Sequence, residues 1–540
     1  MNPNNVAFLE GVPMPSSRTA GPSAGEFLRL SAQRYPDRIA LVLGDGTQWT
    51  FRETNTRVNR LADALSAHGV ARGDRVAIFA NNGVGYVEVI LACLKLGCIY
   101  VPLNNRMTAA EVDPLIDQAR PSAVFMDSTY ASVMTPVLKQ ARGVTLISTF
   151  DDGEFTPYEQ LIAAGRDVEP AVEIDDEDIV GLAFTSGTTG SPKGVLQSQR
   201  MLKNLVTAIT LDYEIQPDEF RYSSSPMFHI GGQSPVLMHL WRGFPTLIMP
   251  SFDPDAVLYW IRDRGLTGCF LVPTMISALL AHPKIAESTY PGLRSIIYGA
   301  APMPPSLLRR AIEVFECDFV NAFGAGTETG LQTVLSSADH RRAVSGAEHL
   351  LGSIGKPAYG VDVKLIDDQD NICAVGEVGE IVTRNAQTMS GYLGRPDATA
   401  EALRDGWFRS GDLAYQDEAG YLYLAGRRND LIIRGGENVY PIEIEDALAA
   451  HPSVAAAAVV GAPDEHWGEV IVAFLVVSAP VTASEVQAFA RQSLAAYKIP
   501  VRVFFLDELP TNPAGKVLKR VLRDRVATPV EAGYTTATGK

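Results

Sequence analysis

The sequence predicts an α/β protein with a large N-terminal α/β domain containing parallel sheets and a small C-terminal α+β domain. Short apolar runs alternate with helical stretches along most of the chain, a pattern typical of βαβ units. The pattern changes near Gly426, where a shorter mixture of strands and helices begins. The 540 residues also exceed what one hydrophobic core normally organises. We therefore expect two domains, residues 1–428 and 429–540.

The first βαβ unit is predicted within residues 75–104. There the apolar runs VAIFA and CIYVPLN flank the helix-like stretch VGYVEVILACLKLG. Similar runs of strand length recur downstream, and their apolar character predicts buried strands of a parallel sheet. These further strands are predicted at residues 123–126, 144–148, 268–272 and 295–298.

The C-terminal part is predicted to begin with a helix at Pro441, because proline suits the first turn of a helix. Glu443 follows in that turn, where a negative charge is favourable. A second helix is predicted after Thr482 and Glu485, which have capping-box spacing. Its apolar positions keep helical spacing as far as Leu494. Strands are predicted at residues 455–460, 470–477 and 501–506.

Composition excludes several classes of protein. A net charge of −16 argues against coating nucleic acid, which needs a basic surface. The five cysteines are scattered without a CxxC pair, which indicates reduced thiols rather than a disulfide framework or a zinc site. The N-terminus lacks a basic segment followed by an apolar core, and the longest apolar runs are of strand length. We expect no signal peptide, no transmembrane segment and a cytoplasmic location.

The most informative motif is the loop FTSGTTGSPKG at residues 184–194, which follows an apolar run. Glycines let backbone N–H groups approach phosphate closely, hydroxyls add donors, and Lys193 supplies charge. Pro192 precedes Lys193 where a Walker A loop has glycine, so this is a different phosphate loop. A plain surface loop is the alternative, and the ordered Pro-Lys-Gly string disfavours it.

This loop resembles the signature loop of the adenylate-forming superfamily, which includes fatty-acid and aromatic-acid CoA ligases, adenylation domains and firefly luciferase. Other segments resemble that family's motifs in the same order and extend over nearly the full chain. They are GAAP (299–302), FGAGTE (323–328), SGD (410–412), GRRNDLIIRGGENVYPIEIE (426–445) and PTNPAGK (510–516). The resemblance implies an AMP-forming acyl-CoA synthetase that converts an acid, ATP and CoA into an acyl-CoA, AMP and pyrophosphate.

The resemblance also implies which residues bind ATP and Mg²⁺. Thr327 would contact the α-phosphate, and Glu328 would hold Mg²⁺ as the metal ligand. The β- and γ-phosphates would be bound by Thr185, Ser186, Gly187, Thr188, Thr189, Gly190 and Lys193. The adenine pocket would include Gly299, Ala300, Ala301 and Phe323, and the ribose would meet Asp412 and Arg427.

Two further roles follow from the resemblance. Lys516 would be the adenylation lysine, which bridges the substrate carboxylate and the α-phosphate. The C-terminal domain would be mobile and swing around Asn429, where the family usually has Asp or Lys. Gly435 and Gly436 would then lie along the pantetheine of CoA. A second departure from relatives is Ser198-Gln199, where many carry Thr-His.

The acyl pocket is expected near MFHIGG, residues 227–232, which resembles the family's acyl-site segment. By resemblance His229 lies beside the substrate carboxylate, with an ordinary buried histidine as the alternative. The pocket walls are expected to include Gln233, Tyr298, Ala300 and residues 323–326. These segments contain no arginine or lysine, which favours an apolar acid, aliphatic or aromatic, over a dicarboxylate or an amino acid.

Other functions remain open at this point. The main alternative is an acyl-adenylating enzyme that loads a carrier-protein thiol, and luciferase-like oxidation is a more distant one. A nucleotide-binding protein without activity is disfavoured, because the implied catalytic residues are all present. The expected partners are a small carboxylic acid, ATP and CoA, with no nucleic acid. A homodimer is one assembly that the sequence leaves open.

Overall fold

The structure is a computed structural model that describes residues 22–151, 153–185, 192–216, 218–287, 289–435, 437–464, 466–511 and 517–527. It is a mixed α/β protein, as the sequence predicts. None of its helices, within those ranges, is long and apolar enough to cross a membrane.

The described residues form helices and strands that alternate along most of the chain. In chain order the helices are α1 Glu26–Arg34, α2 Phe51–Ala67, α3 Val84–Leu96, α4 Ala109–Ala119, α5 Ala131–Leu138, α6 Tyr158–Ala164, α7 Gln199–Asp212, α8 Ile230–Arg242, α9 Pro254–Asp263, α10 Pro273–Ala281, α11 Pro305–Phe315, α12 Gly326–Thr329, α13 Ser337–Val344, α14 Pro396–Ala402, α15 Pro441–Ala449, α16 Ala483–Ala490 and α17 Lys519–Ala527. The strands are β1 Ile39–Leu43, β2 Gln48–Thr50, β3 Arg75–Phe79, β4 Ile99–Pro102, β5 Ala123–Met126, β6 Leu146–Thr149, β7 Thr156–Pro157, β8 Ile179–Thr185, β9 Lys193–Ser198, β10 Arg221–Ser223, β11 Thr246–Ile248, β12 Gly268–Leu271, β13 Ser295–Gly299, β14 Asp318–Phe323, β15 Thr333–Leu335, β16 Lys356–Pro357, β17 Asp362–Ile366, β18 Gly379–Arg384, β19 Gly391–Tyr392, β20 Leu403–Arg404, β21 Trp407–Gln416, β22 Leu422–Arg427, β23 Ile432–Arg434, β24 Glu437–Val439, β25 Val454–Asp464, β26 Gly468–Val477 and β27 Arg502–Phe505.

One sheet contains the predicted βαβ unit and has the order β19-β9-β8-β4-β3-β5-β6-β7. β3 pairs in parallel with both β4 and β5, which confirms the predicted parallel sheet. β3 and β4 are buried along their whole length, and nearly all of α3 is buried as well. That burial on every side explains why these segments are continuously apolar rather than alternating.

A second sheet has the order β16-β15-β14-β13-β12-β10-β11-β1-β2. Its strands β10 to β14 pair in parallel, so the carboxyl ends of β13 and β14 lie side by side. A Cβ added to Gly299, the last residue of β13, would lie 2.2 Å from the Ala322 carbonyl oxygen. Glycine is therefore required where these two strands end. Ligands commonly bind at the carboxyl ends of parallel strands, and both strands end at implied adenine-site segments.

The two remaining sheets are smaller. One consists of β17, β18, β20, β21 and β22 paired antiparallel, and it holds Asp412 directly opposite Arg427. The last sheet has the order β24-β23-β26-β25 with β27 beside β26. Sheet membership thus changes between Arg427 and Ile432.

The C-terminal sheet confirms some predictions and corrects others. α15 begins at Pro441, and Thr482 and Glu485 form the capping box of α16. β25 and β26 form one long hairpin, longer than the predicted strands. The prediction that the helix extends toward Leu494 is wrong, because α16 ends at Ala490. Leu494 is nevertheless buried in the C-terminal core, and core burial produced the apolar spacing that indicated a longer helix.

Candidate active site

A cavity of about 650 Å³ lies where several of the recognised motifs meet. It is bounded by the ends of β8, β13 and β14, by α12 and by the start of α8. Thr511, from the C-terminal part of the chain, also lines it. Predicted site residues that line the cavity are Thr185, Lys193, His229, Ala300, Phe323, Thr327, Glu328 and Arg427.

The implied phosphate loop connects two paired strands. Thr185 ends β8 and is the register partner of Lys193, which begins β9. The Thr185 hydroxyl donates to the Lys193 carbonyl oxygen at 3.5 Å. The Lys193 ammonium lies 4.9 Å from the centre of the Tyr392 ring, a cation–π distance. Ser186, Gly187, Thr188, Thr189 and Gly190 lie outside the described residues.

Glu328 is the central carboxylate of the cavity. It lies in the short helix α12, and its side chain accepts a hydrogen bond from Tyr392. Burial raises the pKa of Glu328 to about 7, although the charges of Arg427 and Lys193 oppose this shift. Glu328 is removed from water and lies near the charges of Arg427 and Lys193. Its carboxylate can therefore give up the interaction with one of these side chains and bind a metal cation instead.

The segment that carries Glu328 depends on close backbone packing. A Cβ on Gly324 would lie 2.2 Å from the Gly330 carbonyl oxygen, so the chain could not turn back here with a larger residue. The Gln197 side-chain amide donates to the Thr327 carbonyl oxygen at 3.2 Å. This bond ties Thr327 to β9, the strand that begins with Lys193. The phosphate hairpin and α12 are therefore held against each other.

The base and ribose end of the cavity is built from strand ends. Ala300 lines the cavity in a left-handed conformation with φ +68°, which is strained for a residue with a Cβ. Phe323 follows on the adjacent strand. Gly299 and Ala301 lie beside Ala300 without lining the cavity.

Asp412 is buried behind the cavity wall rather than in it. Its carboxylate pairs with the Arg427 Nε atom at 2.9 Å, and of the two residues only Arg427 lines the cavity. The resemblance implied that both would meet the ribose. The structure brings the two residues together, and Asp412 orients the Arg427 side chain from behind the cavity wall.

His229 lies at the start of α8 and faces the same cavity. Burial, assisted by the charge of Arg106, lowers the pKa of His229 to about 4. Its ring centre is 4.6 Å from that of Phe228. Its Nε2 atom is buried and has no hydrogen-bond partner among the residues described. His229 is thus a neutral imidazole at pH 7 that can bond to a ligand in the cavity.

The expected acyl walls are only partly those observed. Gln233 donates to the Met227 carbonyl oxygen at 2.6 Å, and Tyr298 bonds to His340 at 2.9 Å; neither lines the cavity. The two side chains support the wall from behind. Apolar residues from α7, α8 and the β12–α10 region line it instead, and these are Leu205, Ile209, Ile230, Phe270, Val272 and Met275.

Other lining residues that were not predicted from the sequence include two cations, Arg106 and Arg409, and the aromatic residue Tyr392. Arg106 matters for the choice of substrate. The expectation that no cation lies near the acyl group was based only on the motif segments, and Arg106 lies outside them. It follows β4, which pairs in parallel with β8. Because Arg106 follows a parallel strand beside β8, its sequence position could have predicted that it lies at the carboxyl edge of the sheet, near the cavity. The absence of cations from the motif segments therefore does not exclude a second carboxylate on the substrate.

The C-terminal motifs reach the cavity unequally. Thr511, in the PTNPAGK motif, lines it and pairs with Val517. Lys516 and Gly436 lie outside the described residues. Gly435 is away from the cavity with φ +60°, and its N–H donates to the Trp467 carbonyl oxygen at 2.7 Å. A Cβ on Gly435 would lie 2.9 Å from the Trp467 ring, so glycine is required there.

Known protein families match both parts of the chain. The AMP-binding enzyme family matches residues 28–393, and the AMP-binding enzyme C-terminal domain matches residues 443–516. Both matches contain residues that line the cavity. The first match covers more than half of the chain.

Characterised relatives extend over almost the whole chain. A fatty acid–[acyl-carrier-protein] ligase, ScoC, from Streptomyces coeruleorubidus is 36% identical over 92% of this chain and 94% of its own length. A feruloyl-CoA synthase from Amycolatopsis sp is 36% identical over 89% of this chain and 94% of its own length.

A solved structure is also similar. The o-succinylbenzoate CoA synthetase MenE from Bacillus subtilis, in complex with the acyl-adenylate intermediate OSB-AMP, superposes with a TM-score of 0.81. It is 32% identical, and the match covers 92% of this chain and 98% of that one. From these matches and the motifs around its cavity, this chain is a member of the AMP-binding enzyme family.

Proposed function

We propose that this chain is an ATP-dependent acid:CoA ligase. It joins an apolar carboxylic acid, aliphatic or aromatic, to AMP and then transfers the acyl group to CoA, releasing AMP and pyrophosphate. The observation that carries the proposal is the cavity in which Lys193, Arg427 and Glu328 meet, with Thr511 also lining it. Two cations and one buried carboxylate suit a polyphosphate better than a neutral ligand.

Mg²⁺ is part of this proposal. Within the described ranges, no three or more His, Cys, Asp or Glu residues are grouped so as to hold a metal. Mg²⁺ usually takes only one or two protein carboxylates and completes its shell with water and substrate phosphates. Glu328 beside Lys193 fits that role. When bound, Mg²⁺ neutralises charge that develops on the phosphate oxygens.

The chain's own residues have separate tasks in acid activation. Lys193 and the loop that follows Thr185 bind the β- and γ-phosphates, and Thr327 contacts the α-phosphate. Arg427, held by Asp412, binds near the ribose. Lys516 reaches the reacting carboxylate and the α-phosphate, where negative charge develops. His229, which is neutral, donates or accepts a hydrogen bond at the carboxylate without adding charge.

Thioester formation needs a second arrangement of the same parts. We propose that the C-terminal domain, residues 429–540, turns about Asn429, which moves Lys516 out and brings Gly435 and Gly436 to the pantetheine of CoA. The hydrogen bond between Gly435 and Trp467 keeps this backbone in a narrow turn. Hinge motions of this kind change the dihedral angles of only a few residues.

The second candidate acceptor is the pantetheine thiol of a carrier protein. It is favoured by the 36% identity to a fatty acid–[acyl-carrier-protein] ligase. The two acceptors present the same thiol to the same channel, so acid activation is common to both. A cytoplasmic location and a homodimer also remain predictions.

The test is acid-dependent pyrophosphate release with ATP and Mg²⁺ over a panel of short aliphatic, long-chain and hydroxylated aromatic acids. Dicarboxylates belong in the panel because Arg106 lines the cavity. We expect release with at least one apolar acid and acyl-CoA formation when CoA is added. No release with any acid would contradict the proposal. Thioester formation with a pantetheinylated carrier protein but not with CoA would favour the second acceptor.

A further inference from the structure

Glu380 is a buried carboxylate on β18 that contacts two functional segments. One oxygen accepts from the Gly411 N–H at 3.0 Å. The other accepts from Arg428 at 3.1 Å, with Arg409 at 3.5 Å. Its side chain is 7% exposed, so the carboxylate end of these charge-assisted bonds is shielded from water, unlike that of a surface pair.

Both contacts are to residues that neighbour lining residues of the cavity in the sequence. Gly411 has φ +71° and stands between Ser410, which lines the cavity, and Asp412, which orients Arg427. Arg428 is the next residue along the chain and immediately precedes Asn429. Glu380 therefore holds the nucleotide loop with one oxygen and the residue before the proposed hinge with the other.

The residues after Asn429 are held differently. Arg523, on the last described helix α17, donates to the Asn429 carbonyl oxygen at 3.2 Å and pairs with Asp430. Arg428 is thus tied to the large domain, and Asp430 is tied to the C-terminal helix. Asn429 lies between these two residues. A rotation of its backbone therefore moves the segment held by Glu380 relative to the segment held by Arg523.

Another partner of Arg428 is a weak one. Arg428 also pairs with Asp368, whose side chain is 77% exposed. Exposed pairs contribute little to stability. The hold on Arg428 therefore depends mainly on Glu380.

We propose that Glu380 is a positioning residue that stabilises the acid-activating orientation of the C-terminal domain. The structure fits this orientation, because Thr511 from the C-terminal part of the chain lines the cavity. The inference rests on the proposed function. In this proposal Glu380 links the nucleotide loop to the hinge and does not contact the substrate.

The test compares Glu380→Gln, Arg428→Gln and the double variant with Asp368→Asn as the matched control. Glutamine keeps a carbonyl oxygen for Gly411 but places no negative charge beside Arg428. Acid activation is followed by acid-dependent exchange of pyrophosphate into ATP. Thioester formation is followed separately by supplying a preformed acyl-adenylate and CoA, using the acid identified in the panel.

We expect Glu380→Gln and Arg428→Gln each to slow exchange by about 10-fold, the effect of losing one charge-assisted hydrogen bond. The rate of thioester formation from the supplied acyl-adenylate stays within about 2-fold of wild type, because this half-reaction does not depend on the lost hydrogen bond. The double variant is no slower than either single variant, because both remove the same interaction. Asp368→Asn behaves as wild type. The KM for ATP stays near that of wild type in Glu380→Gln.

Three outcomes would overturn the inference: additive losses in the double variant, equal losses in both half-reactions, or a loss in Asp368→Asn as large as in Glu380→Gln. If Glu380→Gln does not fold, Arg428→Gln decides, because its side chain is 44% exposed. Absence of both half-reactions in the wild-type protein would instead contradict the proposed function.

Discussion

At the scale of single residues, burial sets the charge of the groups that face the cavity. It raises the pKa of Glu328 to about 7 and lowers the pKa of His229 to about 4. Both shifts favour the neutral form, since a charge is costly to remove from water. Glu328 is therefore half ionised near neutral pH until cations bind beside it. Burying this carboxylate costs free energy, but it leaves a carboxylate in the cavity that can bind a metal ion.

The first prediction concerns Glu328→Gln. The folded pKa lies above the usual value, so the ionised carboxylate destabilises the folded protein, and stability is lost as pH rises from about 4.5 to about 7. We expect Glu328→Gln to stabilise the ligand-free protein by roughly 1–3 kcal/mol at pH 8 and by much less at pH 5. Denaturant unfolding at both pH values measures this.

Activity should change in the opposite direction. We expect Glu328→Gln to reduce acid-dependent pyrophosphate release by roughly 100-fold or more, as for loss of a group that stabilises developing charge. The control is Glu418→Gln, because Glu418 is exposed. A Glu328→Gln protein that is less stable than wild type at pH 8 would contradict the assigned burial.

At the scale of elements, the site depends on the parallel pair β13 and β14. The two strands run in register from Ser295 with Asp318 to Gly299 with Ala322. This register places Ala300 and Phe323 side by side at the carboxyl edge. A shift of either strand would separate the two halves of the proposed adenine pocket.

The second prediction is that Gly299→Ala disrupts this edge. Its Cβ would lie 2.2 Å from the Ala322 carbonyl oxygen, so the strands must move apart. We expect a loss of about 1–3 kcal/mol in the free energy of unfolding, as for other overpacked sites, and a raised KM for ATP. The matched control is Gly292→Ala, since nothing lies within 4 Å of that position. Equal stability of the two variants would show that the strand ends tolerate a side chain.

At the scale of the whole molecule, the proposed chemistry needs both parts of the chain. The cavity is lined mostly by residues of the first 427 positions, whereas Thr511 comes from the C-terminal part of the chain, after β27. Lys516 follows five residues later in the sequence. The proposal therefore assigns the adenylation lysine to the smaller part of the chain.

The third prediction is that Lys516→Ala separates the two half-reactions. We expect it to abolish acyl-adenylate formation and to spare thioester formation from a supplied acyl-adenylate, because the lysine is needed only where carboxylate meets α-phosphate. Single-turnover assays of each half-reaction measure this. Arg520→Gln is the control, since Arg520 is an exposed cation nearby. Similar losses in both half-reactions would remove the assigned role.

Local sequence was sufficient wherever a signal lies in neighbouring residues. The continuous apolar run at residues 76–80 indicated a parallel strand because burial on both faces leaves no polar alternation. Thr482 and Glu485 indicated a helix start because the capping box is a contact between adjacent turns. The length of α16 was overestimated, because Leu494 is apolar for reasons of core packing rather than helical position.

The sequence by itself determined the family, the order of the motifs and the identity of the charged groups Lys193, Glu328 and Arg427. Only the tertiary structure decided that Arg106 and Tyr392 enter the same cavity, that Asp412 lies behind Arg427, and that Glu380 contacts both Gly411 and Arg428. The physical reason is that these contacts link segments far apart in the chain. Their residue types carry no local pattern, and burial, which sets their charge and strength, exists only once the sheets have packed.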